Sequence, residues 1–469
     1  MIKRIINFYK ISTPSPFFIG NKEELTKKYK RLRISSFLAA TIGYSLYYVC
    51  RTSLNVVKKP ILESGALDAS QLGVVGSVLL FSYAIGKFIN GFLADYSNIK
   101  RFMATGLIIS TAANLIVGLL GLAEMSTTAI STFTFFVAFA VMWGINGWSQ
   151  AMGAAPAIIS LSRWFPLKER GTYYGFFSAS HNLGEFLSFI FVGAIVGLLG
   201  WQWGFIGSSV AGVLGVLIII CFLHDTPQSR GLPAVEVLAD ETVDSSEGNK
   251  KKQTTKEVQK AVLKNPLVWV LALSSAFMYI SRYAINGWGV LFLQEAKGYS
   301  LATATQIISI NALLGVIGTI FSGWISDKLF KGNRNIPAFL FGILNTLSLC
   351  LFLYSGDNIY INMLSMILFG TAIGVLICFL GGLMAVDIVP RNASGAALGI
   401  VGIASYIGAG IQDIISGWLI DSNKTIVNGV ESYNFTQAGI FWIIASILSF
   451  VLILCVWKKN EKNKVSDTE

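Results

Sequence analysis

Residues 45–57, SLYYVCRTSLNVV, place Arg51 inside a long apolar run that predicts a membrane helix. An arginine at the centre of a bilayer costs about 2.5–3.5 kcal/mol on insertion scales, so such cations usually face a water-filled cavity. A related stretch follows much later in the chain, because YVCRTSLN occupies residues 48–55 and YISRYAIN occupies residues 279–286. In both stretches a tyrosine stands three residues before the arginine and an asparagine four residues after it. The recurrence predicts two related halves, each with an arginine in its first helix.

Apolar windows long enough to cross a bilayer, which takes about 20 residues, recur along the whole chain. The twelve windows are residues 34–57, 71–94, 102–121, 131–155, 171–195, 201–223, 267–292, 305–326, 337–354, 359–386, 394–419 and 436–457. The 469 residues are 54% hydrophobic and 13% charged, a composition typical of polytopic membrane proteins. We therefore predict an all-α protein with twelve transmembrane helices in two six-helix repeats.

A second pair of motifs repeats at nearly the same distance. GFLAD ends at Asp95 and GWISD ends at Asp327, an offset of 232 residues, against 231 residues between the two arginines. Basic residues follow both motifs, among them Arg101 and Arg334. We expect these four charged residues to join neighbouring helices through charge-assisted bonds, and to serve gating and structure rather than substrate contact.

The distribution of charge predicts the domain boundaries and the orientation. The predicted units are a tail (1–33), a six-helix bundle (34–223), a polar linker (224–264), a second bundle (265–457) and a second tail (458–469). Lysines and arginines concentrate in the tails and in alternate loops, with Lys58 and Lys59 as an exception. The positive-inside rule then places both termini in the cytoplasm. The net charge of +11 is explained by this orientation, so we expect the bilayer as partner and no nucleic acid.

Residues typical of metal sites, cofactor sites or catalysis are sparse. The five cysteines lie in apolar segments without metal-ligand spacing, and the two histidines, His181 and His224, are far apart in sequence. A glycine-rich nucleotide loop with a lysine is also absent from the sequence. We expect no metal, no cofactor and no enzymatic activity, and a membrane enzyme acting on phosphorylated lipids is a weak alternative.

Polar stripes run along three predicted helices, because positions three and four residues apart share one helix face. The stripes are Tyr44, Tyr48, Arg51 and Asn55 in the first helix, Tyr83, Lys87 and Asn90 in the second, and Ser275, Tyr279, Arg282 and Asn286 in the seventh. Because the planar guanidinium fork binds phosphate bidentately, the stripes predict a clamp for an anionic substrate. The alternative is that the arginines neutralise two buried acids, Glu185 and Asp413.

Six stretches together resemble the organophosphate:phosphate antiporters of the major facilitator superfamily, which include hexose-6-phosphate and glycerol-3-phosphate transporters and a hexose-phosphate sensor. The stretches are GYSLYYVCRTSLN, SYAIGKFINGFLADYSN, KERGTYYGFFSASHNLG, HDTPQSRGLPAVE, MYISRYAINGW and GWISDKLFKGNRN. The resemblance runs from about residue 30 to residue 455. It implies parallel six-helix repeats with the substrate site between them near the midplane. It further implies exchange of a phosphorylated sugar or polyol for inorganic phosphate by alternating access in a bacterial inner membrane, with hexose 6-phosphate favoured and glycerol 3-phosphate next.

The resemblance also implies roles for individual residues. Arg51 and Arg282 match the paired phosphate-binding arginines, Lys87 matches a cavity lysine, and His181 matches a histidine of the fifth helix. The implied cavity tyrosines are Tyr44, Tyr48, Tyr83, Tyr279 and Tyr406.

Departures from the family pattern concern the organic part of the substrate and the coupling. Thr52, Ala312 and Ser178 stand where relatives often carry a basic residue, an acid and an asparagine. Glu185 stands where a small residue is expected, four residues after His181, so we expect the pair to tune the histidine or to carry a proton. Asp413 is a second candidate for coupling. A different class of function, a sensor of external hexose phosphate that signals to a membrane kinase, also fits the resemblance.

Overall fold

The computed structural model describes residues 2–16, 21–126, 131–238, 262–331, 333–389, 394–427 and 430–466. Twelve long helices lie in these ranges, each over one of the predicted windows, and we number them in chain order. They are α1 (Lys22–Glu63), α2 (Ala69–Asp95), α3 (Ile99–Ser126), α4 (Thr132–Trp164), α5 (Leu167–Leu199), α6 (Trp201–Phe222), α7 (Pro266–Ala296), α8 (Leu301–Trp324), α9 (Asn335–Tyr354), α10 (Ile359–Cys378), α11 (Ser394–Ser422) and α12 (Thr436–Ser466).

Ten of these helices in the described part of the chain are long and apolar enough to cross a membrane. The helices outside this group are α1 and α4, which bear polar residues within their apolar runs, Arg51 in α1 and Asn146 and Gln150 in α4. An all-α polytopic fold is thereby confirmed. Short elements complete the described chain: helices Ile2–Tyr9, Gln228–Arg230 and Val235–Leu238, a π-helical extension of α10 over Phe379–Leu383 followed by Met384–Asp387, and an antiparallel hairpin of β1 (Thr425–Val427) and β2 (Val430–Ser432).

Polar residues at the N-terminal ends fix where several helices begin, because a capping side chain accepts a bond from an otherwise unpaired backbone N–H. Asp68 forms a capping box with Gln71 at the start of α2. Ser131 caps α4 and Ser300 caps α8, each through a hydroxyl that accepts the backbone N–H three residues later. At α7 the cap is Asn265, and a proline follows it at the first helical position, which suits its fixed φ.

The helices pack as two six-helix groups, α1–α6 and α7–α12, which meet along three helix pairs. Across this boundary α2 packs against α11, α5 packs against α8, and α1 packs against α7. Much of the predicted linker (residues 239–261) and the last residues of the second tail (467–469) lie outside the described residues. The exact domain boundaries therefore stay a prediction.

A short N-terminal segment, residues 2–16, docks at the end of the first half where α2 ends and α3 begins. Asp225 holds the segment, since its carboxylate accepts bonds from the backbone N–H of Ser12 (2.7 Å) and of Ile99 (3.0 Å). The same carboxylate pairs with Arg163 Nη1 at 2.5 Å. We call this end of the molecule the tail end, and the opposite end, where α1 ends and α2 begins, the far end.

The predicted gating residues make different kinds of contact. Arg101 Nη1 donates to the carbonyl of Phe8 (2.7 Å), and the backbone carbonyl of Asp95 accepts from Arg163. Arg334 Nη1 pairs with Asp387 at 2.7 Å, which ties the start of α9 to the short helix Met384–Asp387 that follows α10. The side chain of Asp327 lies outside the described residues. A gating role for these four residues stays a prediction.

The buried histidine at the tail end predicts a dependence of stability on pH. His224 Nδ1 accepts a hydrogen bond from Arg230 Nη2 at 2.8 Å, so the ring is held in its neutral form. Burial, followed by the positive charges of Arg230 and Lys100, lowers the pKa of His224 to about 4. In the unfolded chain the pKa of a histidine is about 6.5. Between these values the unfolded chain binds more protons, so the free energy of unfolding should fall as pH decreases from about 6.5 towards about 4.

The variant His224→Gln keeps an acceptor for Arg230 and removes the titration. Its thermal unfolding temperature in detergent should therefore change less with pH over this range than that of the wild type. An identical pH dependence in the two proteins would assign the effect to other groups.

Candidate functional site

Arg51 lies in the middle of α1, facing the second half, and is 5% exposed. Three aromatic rings surround its guanidinium: the centroid of Tyr83 lies 4.1 Å from Cζ, that of Tyr48 5.3 Å and that of Tyr406 5.5 Å. Its Nη2 donates to the hydroxyl of Tyr283 across the boundary between the halves, at 3.0 Å. Its Nη1 is buried and finds no hydrogen-bond partner among the described residues. The guanidinium thus has aromatic neighbours but no carboxylate partner among them.

Arg282, the equivalent residue of α7, is also buried but has an anionic partner. Its Nη2 lies 3.4 Å from Oε2 of Glu185, which comes from α5 of the first half. The other carboxylate oxygen of Glu185 accepts a bond from Asn286 Nδ2 at 2.8 Å. The alternative of neutralised buried acids therefore holds for this arginine, with Glu185 as its acid. Asn286, predicted to contact substrate, instead donates a hydrogen bond to this carboxylate.

A cluster of tyrosines from both halves connects the two arginines. Tyr406 of α11 lies 4.6 Å from Tyr83 of the first half and 5.4 Å from Tyr279 of its own half, measured between ring centroids. Tyr279 also lies 5.9 Å from Tyr283, whose hydroxyl contacts Arg51. The predicted cavity tyrosines Tyr83, Tyr279 and Tyr406 are thus brought together. Sequence reasoning missed Tyr283, although it stands four residues after Tyr279 and so continues the same helix face.

The predicted residues on the tail side of Arg51 line one continuous surface. Tyr44 lies 5.5 Å from Tyr48, and Tyr48 lies 5.8 Å from the ring of His181, all between centroids. Lys87 is exposed, one turn beyond the buried Tyr83, with Nζ 5.3 Å from the ring of Tyr406. Lys87 is thus the exposed member of this group, on the tail side of Tyr83.

Two predicted asparagines take other positions. Asn55 is half-buried in α1, one turn beyond Arg51. Asn90 donates to the carbonyl of Trp148 in α4 at 3.2 Å, so its amide serves helix packing within the first half.

The structure pairs Glu185 with different groups from those expected. The predicted partner was His181, but the carboxylate bonds that we find join Glu185 to Arg282 and Asn286. His181 instead packs its ring against Tyr48. The reason is that α7 of the other half fills the space beside Glu185, and helical spacing within α5 carries no information about that neighbour. A role of His181 and Glu185 in coupling stays a prediction.

Asp413 is paired with a lysine that sequence reasoning did not place in the site. Its Oδ1 lies 3.5 Å from Nζ of Lys58, and it accepts a bond from Trp288 Nε1 at 2.7 Å. The ammonium of Lys58 also sits 3.4 Å from the centroid of the Trp288 ring. Lys58 was visible as an exception among the loop cations, and it stands seven residues after Arg51, on the same face of α1. The alternative that an arginine neutralises Asp413 is wrong, because the partners of this carboxylate are Lys58 and Trp288.

The hydrogen bonds and ion pairs that we find between the halves, among the described residues, lie between the midplane and the far end. Beyond the Lys58–Asp413 pair, Lys59 pairs with Glu295 at 2.8 Å. Ser70 donates to Asp421 at 3.0 Å, close to the start of α2. The two halves are therefore held together at the far end, and the site is reached from the tail end.

Metal ions have no evident place in this arrangement. Within the described ranges, no group of three or more histidine, cysteine, aspartate or glutamate side chains is placed to hold one. What the site can do is bind an anion between two arginines, with tyrosine hydroxyls as neutral hydrogen-bond donors.

Comparison with known proteins identifies a family and several relatives. The family model described as Major Facilitator Superfamily matches residues 40–412. A protein of Chlamydia pneumoniae described as "Probable hexose phosphate transport protein" is 34% identical over 467 residues, covering 95% of each chain. The "Membrane sensor protein UhpC" of Salmonella typhimurium is 31% identical over 467 residues, covering 96% of this chain and 97% of its own. The "Glycerol-3-phosphate transporter" of Bacillus subtilis is 31% identical over 444 residues, covering 92% and 94%.

A solved structure shares the fold. It is a bacterial homologue of the human lysosomal transporter Spinster, in an inward-facing and unoccupied conformation, with a TM-score of 0.72. It covers 92% of this chain and 98% of its own, at 17% sequence identity. At this identity the likeness supports the architecture of twelve helices in two halves.

Close packing of glycines at the far end leads to a conformational prediction. A Cβ at Gly76 would overlap the carboxylate of Asp413, whereas a Cβ at Gly91, in the same helix, would meet nothing within 4 Å. The variant Gly76→Ala should therefore separate the halves at the far end. The matched control Gly91→Ala should leave them in place.

The separation can be measured by electron–electron resonance between spin labels on cysteines introduced at Glu63 and Tyr360, one in each half at the far end. We expect a population at longer distance in Gly76→Ala and an unchanged distribution in Gly91→Ala. Equal distributions in the two variants would show that the packing at Gly76 does not hold the far end closed.

Proposed function

The chain belongs to the Major Facilitator Superfamily, and we propose that it is a secondary transporter that exchanges a phosphorylated sugar or polyol for inorganic phosphate by alternating access. Hexose 6-phosphate is the favoured substrate and glycerol 3-phosphate the next. The names of the relatives support this substrate class, and the chain matches nearly their whole length. The proposed location is the bacterial inner membrane, with both termini in the cytoplasm, so that the site faces the cytoplasm in this conformation.

The proposal rests on the guanidinium of Arg51, a buried positive charge without an anionic partner among the described residues. Its Nη1 has no hydrogen-bond partner among the described residues, and no carboxylate pairs with it there. Leaving a buried charge without a partner costs several kcal/mol, so a bound anion would contribute strongly to the stability of this site. A phosphoryl group suits the position, because its oxygens match the fork of N–H donors that a guanidinium presents.

The placement of the arginines on opposite halves supports alternating access. A phosphate between Arg51 and Arg282 would contact both halves at once, near the boundary about which they move. Exposure of the site to the far end requires the pairs Lys58–Asp413 and Lys59–Glu295 to separate. Since the open and closed arrangements differ in these contacts, an anion that draws the halves together on the tail side can shift the balance between them.

A sensor is the second candidate, and it rests on a specific finding. A relative named as a membrane sensor protein is nearly as similar to this chain as the one named as a hexose phosphate transport protein. In this case the same site would bind external hexose phosphate, and the conformational change would be passed to a membrane kinase instead of releasing substrate inside.

Counterflow in liposomes distinguishes the two functions. Purified protein is reconstituted into liposomes loaded with phosphate or with chloride, and labelled glucose 6-phosphate or glycerol 3-phosphate is added outside. Uptake that requires internal phosphate would establish exchange, and the better substrate would define the branch. Binding of a hexose phosphate without uptake would favour the sensor. If neither ester is bound or taken up, the proposed substrate class is wrong.

Substitution of either clamp arginine should abolish exchange. Arg51→Lys and Arg282→Lys keep the charge but lose the planar fork, and with it about two charge-assisted hydrogen bonds of about 1.5–3 kcal/mol each. We therefore expect exchange rates at subsaturating phosphate to fall by about 100-fold or more.

Arg33→Lys provides a matched control, because Arg33 also lies in α1 but pairs with Glu169 at 2.9 Å, outside the site. Exchange in this variant should stay close to that of the wild type. Near-normal exchange in both clamp variants would show that Arg51 and Arg282 serve structure alone.

A further inference from the structure

Glu185 forms an ion pair with Arg282, the second arginine of the clamp. Its carboxylate lies 3.4 Å from Arg282 Nη2, and each side chain is 5% exposed. The two residues belong to opposite halves, α5 and α7, and Asn286 holds the other carboxylate oxygen at 2.8 Å. Arg51, the first arginine of the clamp, has no such partner within the described chain. The empty clamp is therefore asymmetric, with an internal anion on one arginine only.

Few other ionisable groups surround this carboxylate. Arg51 of α1 and Arg282 of α7 are the charged groups that act on it, and on its own helix His181 stands one turn away. The nearby tyrosines, Tyr48 and Tyr283, lie around Arg282. The helices α4, α6 and α8 also pack against α5. The sequence of α8 contains no ionisable residue, the only one in α6 is Cys221 near its tail end, and the only one in α4 is Arg163. Arg163 is paired with Asp225 at the tail end, so the charges that act on Glu185 are the two clamp arginines.

We propose that Glu185 holds the place of the substrate phosphate on Arg282, and that phosphate binding displaces this carboxylate and adds one proton to it. The inference rests on the proposed function, because it assumes that phosphate binds between the two arginines. In the displacement, phosphate oxygens replace Oε2 as acceptors of the Arg282 N–H bonds. The proton is taken up from the bulk solution, whose buffer acid loses it, and forms an O–H bond on the released carboxyl group.

Electrostatic repulsion provides the driving force for the proton. A phosphate dianion and an ionised carboxylate would otherwise share one guanidinium inside a water-poor site, where like charges strongly disfavour each other. Protonation removes this repulsion, and the neutral acid can still accept the bond from Asn286. Since linkage is reciprocal, a proton that binds with phosphate also strengthens the binding of phosphate. Phosphate affinity should therefore increase as pH falls, beyond any effect of the titration of phosphate itself.

The first experiment compares phosphate affinity in three proteins from pH 5.5 to pH 8, with inorganic phosphate as the probe and calorimetry as the readout. Glu185→Gln removes the competing charge and keeps the shape, so it should bind phosphate about tenfold more tightly than wild type at pH 8. The two affinities should approach each other as pH falls towards 5.5, because the proton that the wild type binds together with phosphate is then more available. The ratio of the affinities cancels the titration of the ligand.

Glu169→Gln is the matched control. Glu169 lies in the same helix and also pairs with an arginine, Arg33, but at the tail end outside the clamp. Its removal should leave the affinity and its pH dependence as in wild type. A change in Glu169→Gln equal to that in Glu185→Gln would overturn the inference, since any lost carboxylate of α5 would then suffice.

A second measurement uses the wild type and does not depend on the folding of a variant. Infrared difference spectra, recorded with and without phosphate at pH 8, should show a new band of a protonated carboxyl group. Proton uptake in weakly buffered solution should accompany it. Binding of phosphate without this band and without uptake would overturn the inference and leave the proposed function in place. If wild type binds no phosphate at any pH, the proposed function fails, and the inference fails with it.

Discussion

Positive charge buried between two helical bundles is the constraint on which the rest of this structure depends. A buried guanidinium requires an anionic partner, because without one it lowers the stability of the folded protein. Arg282 meets the requirement internally, through Glu185 of the other half, whereas Arg51 meets it only with aromatic rings and one hydroxyl. The aromatic rings lower the cost but provide no negative charge. The site therefore lacks one negative charge, and in the proposed function an anionic ligand supplies it.

The closed far end follows from the same requirement, applied seven residues further along α1. Lys58 is 1% exposed, and it is tolerated because Asp413 and the ring of Trp288 lie beside it. The partners come from the second half, so the halves must meet here for the charge to be paired. Gly76 allows this approach because a side chain at its position would overlap the carboxylate. Charge pairing at the far end and access from the tail end are consequently two aspects of one arrangement.

Much of the fold could be predicted because it depends on local patterns. The twelve apolar windows coincide with the twelve long helices. The repeat of tyrosine, arginine and asparagine identified the two buried arginines that bond to the opposite half. The site was predicted less completely. Lys58, Trp288 and Tyr283 were missed, although helical spacing from Arg51 and Tyr279 already placed two of them on the relevant faces. A lysine near a helix end, such as Lys58, is commonly exposed, and sequence alone did not distinguish it from that ordinary case.

The sequence by itself determined which residues share a face of one helix, because the period of 3.6 residues fixes that relation. It also determined that two arginines stand at equivalent depths in two repeats. Only the tertiary structure decided which acid meets which base. Glu185 was expected to face His181, four residues before it in α5, but a helix of the other half brings Arg282 and Asn286 closer. The pairing of charges between distant segments depends on how the halves pack, and no local pattern records that choice.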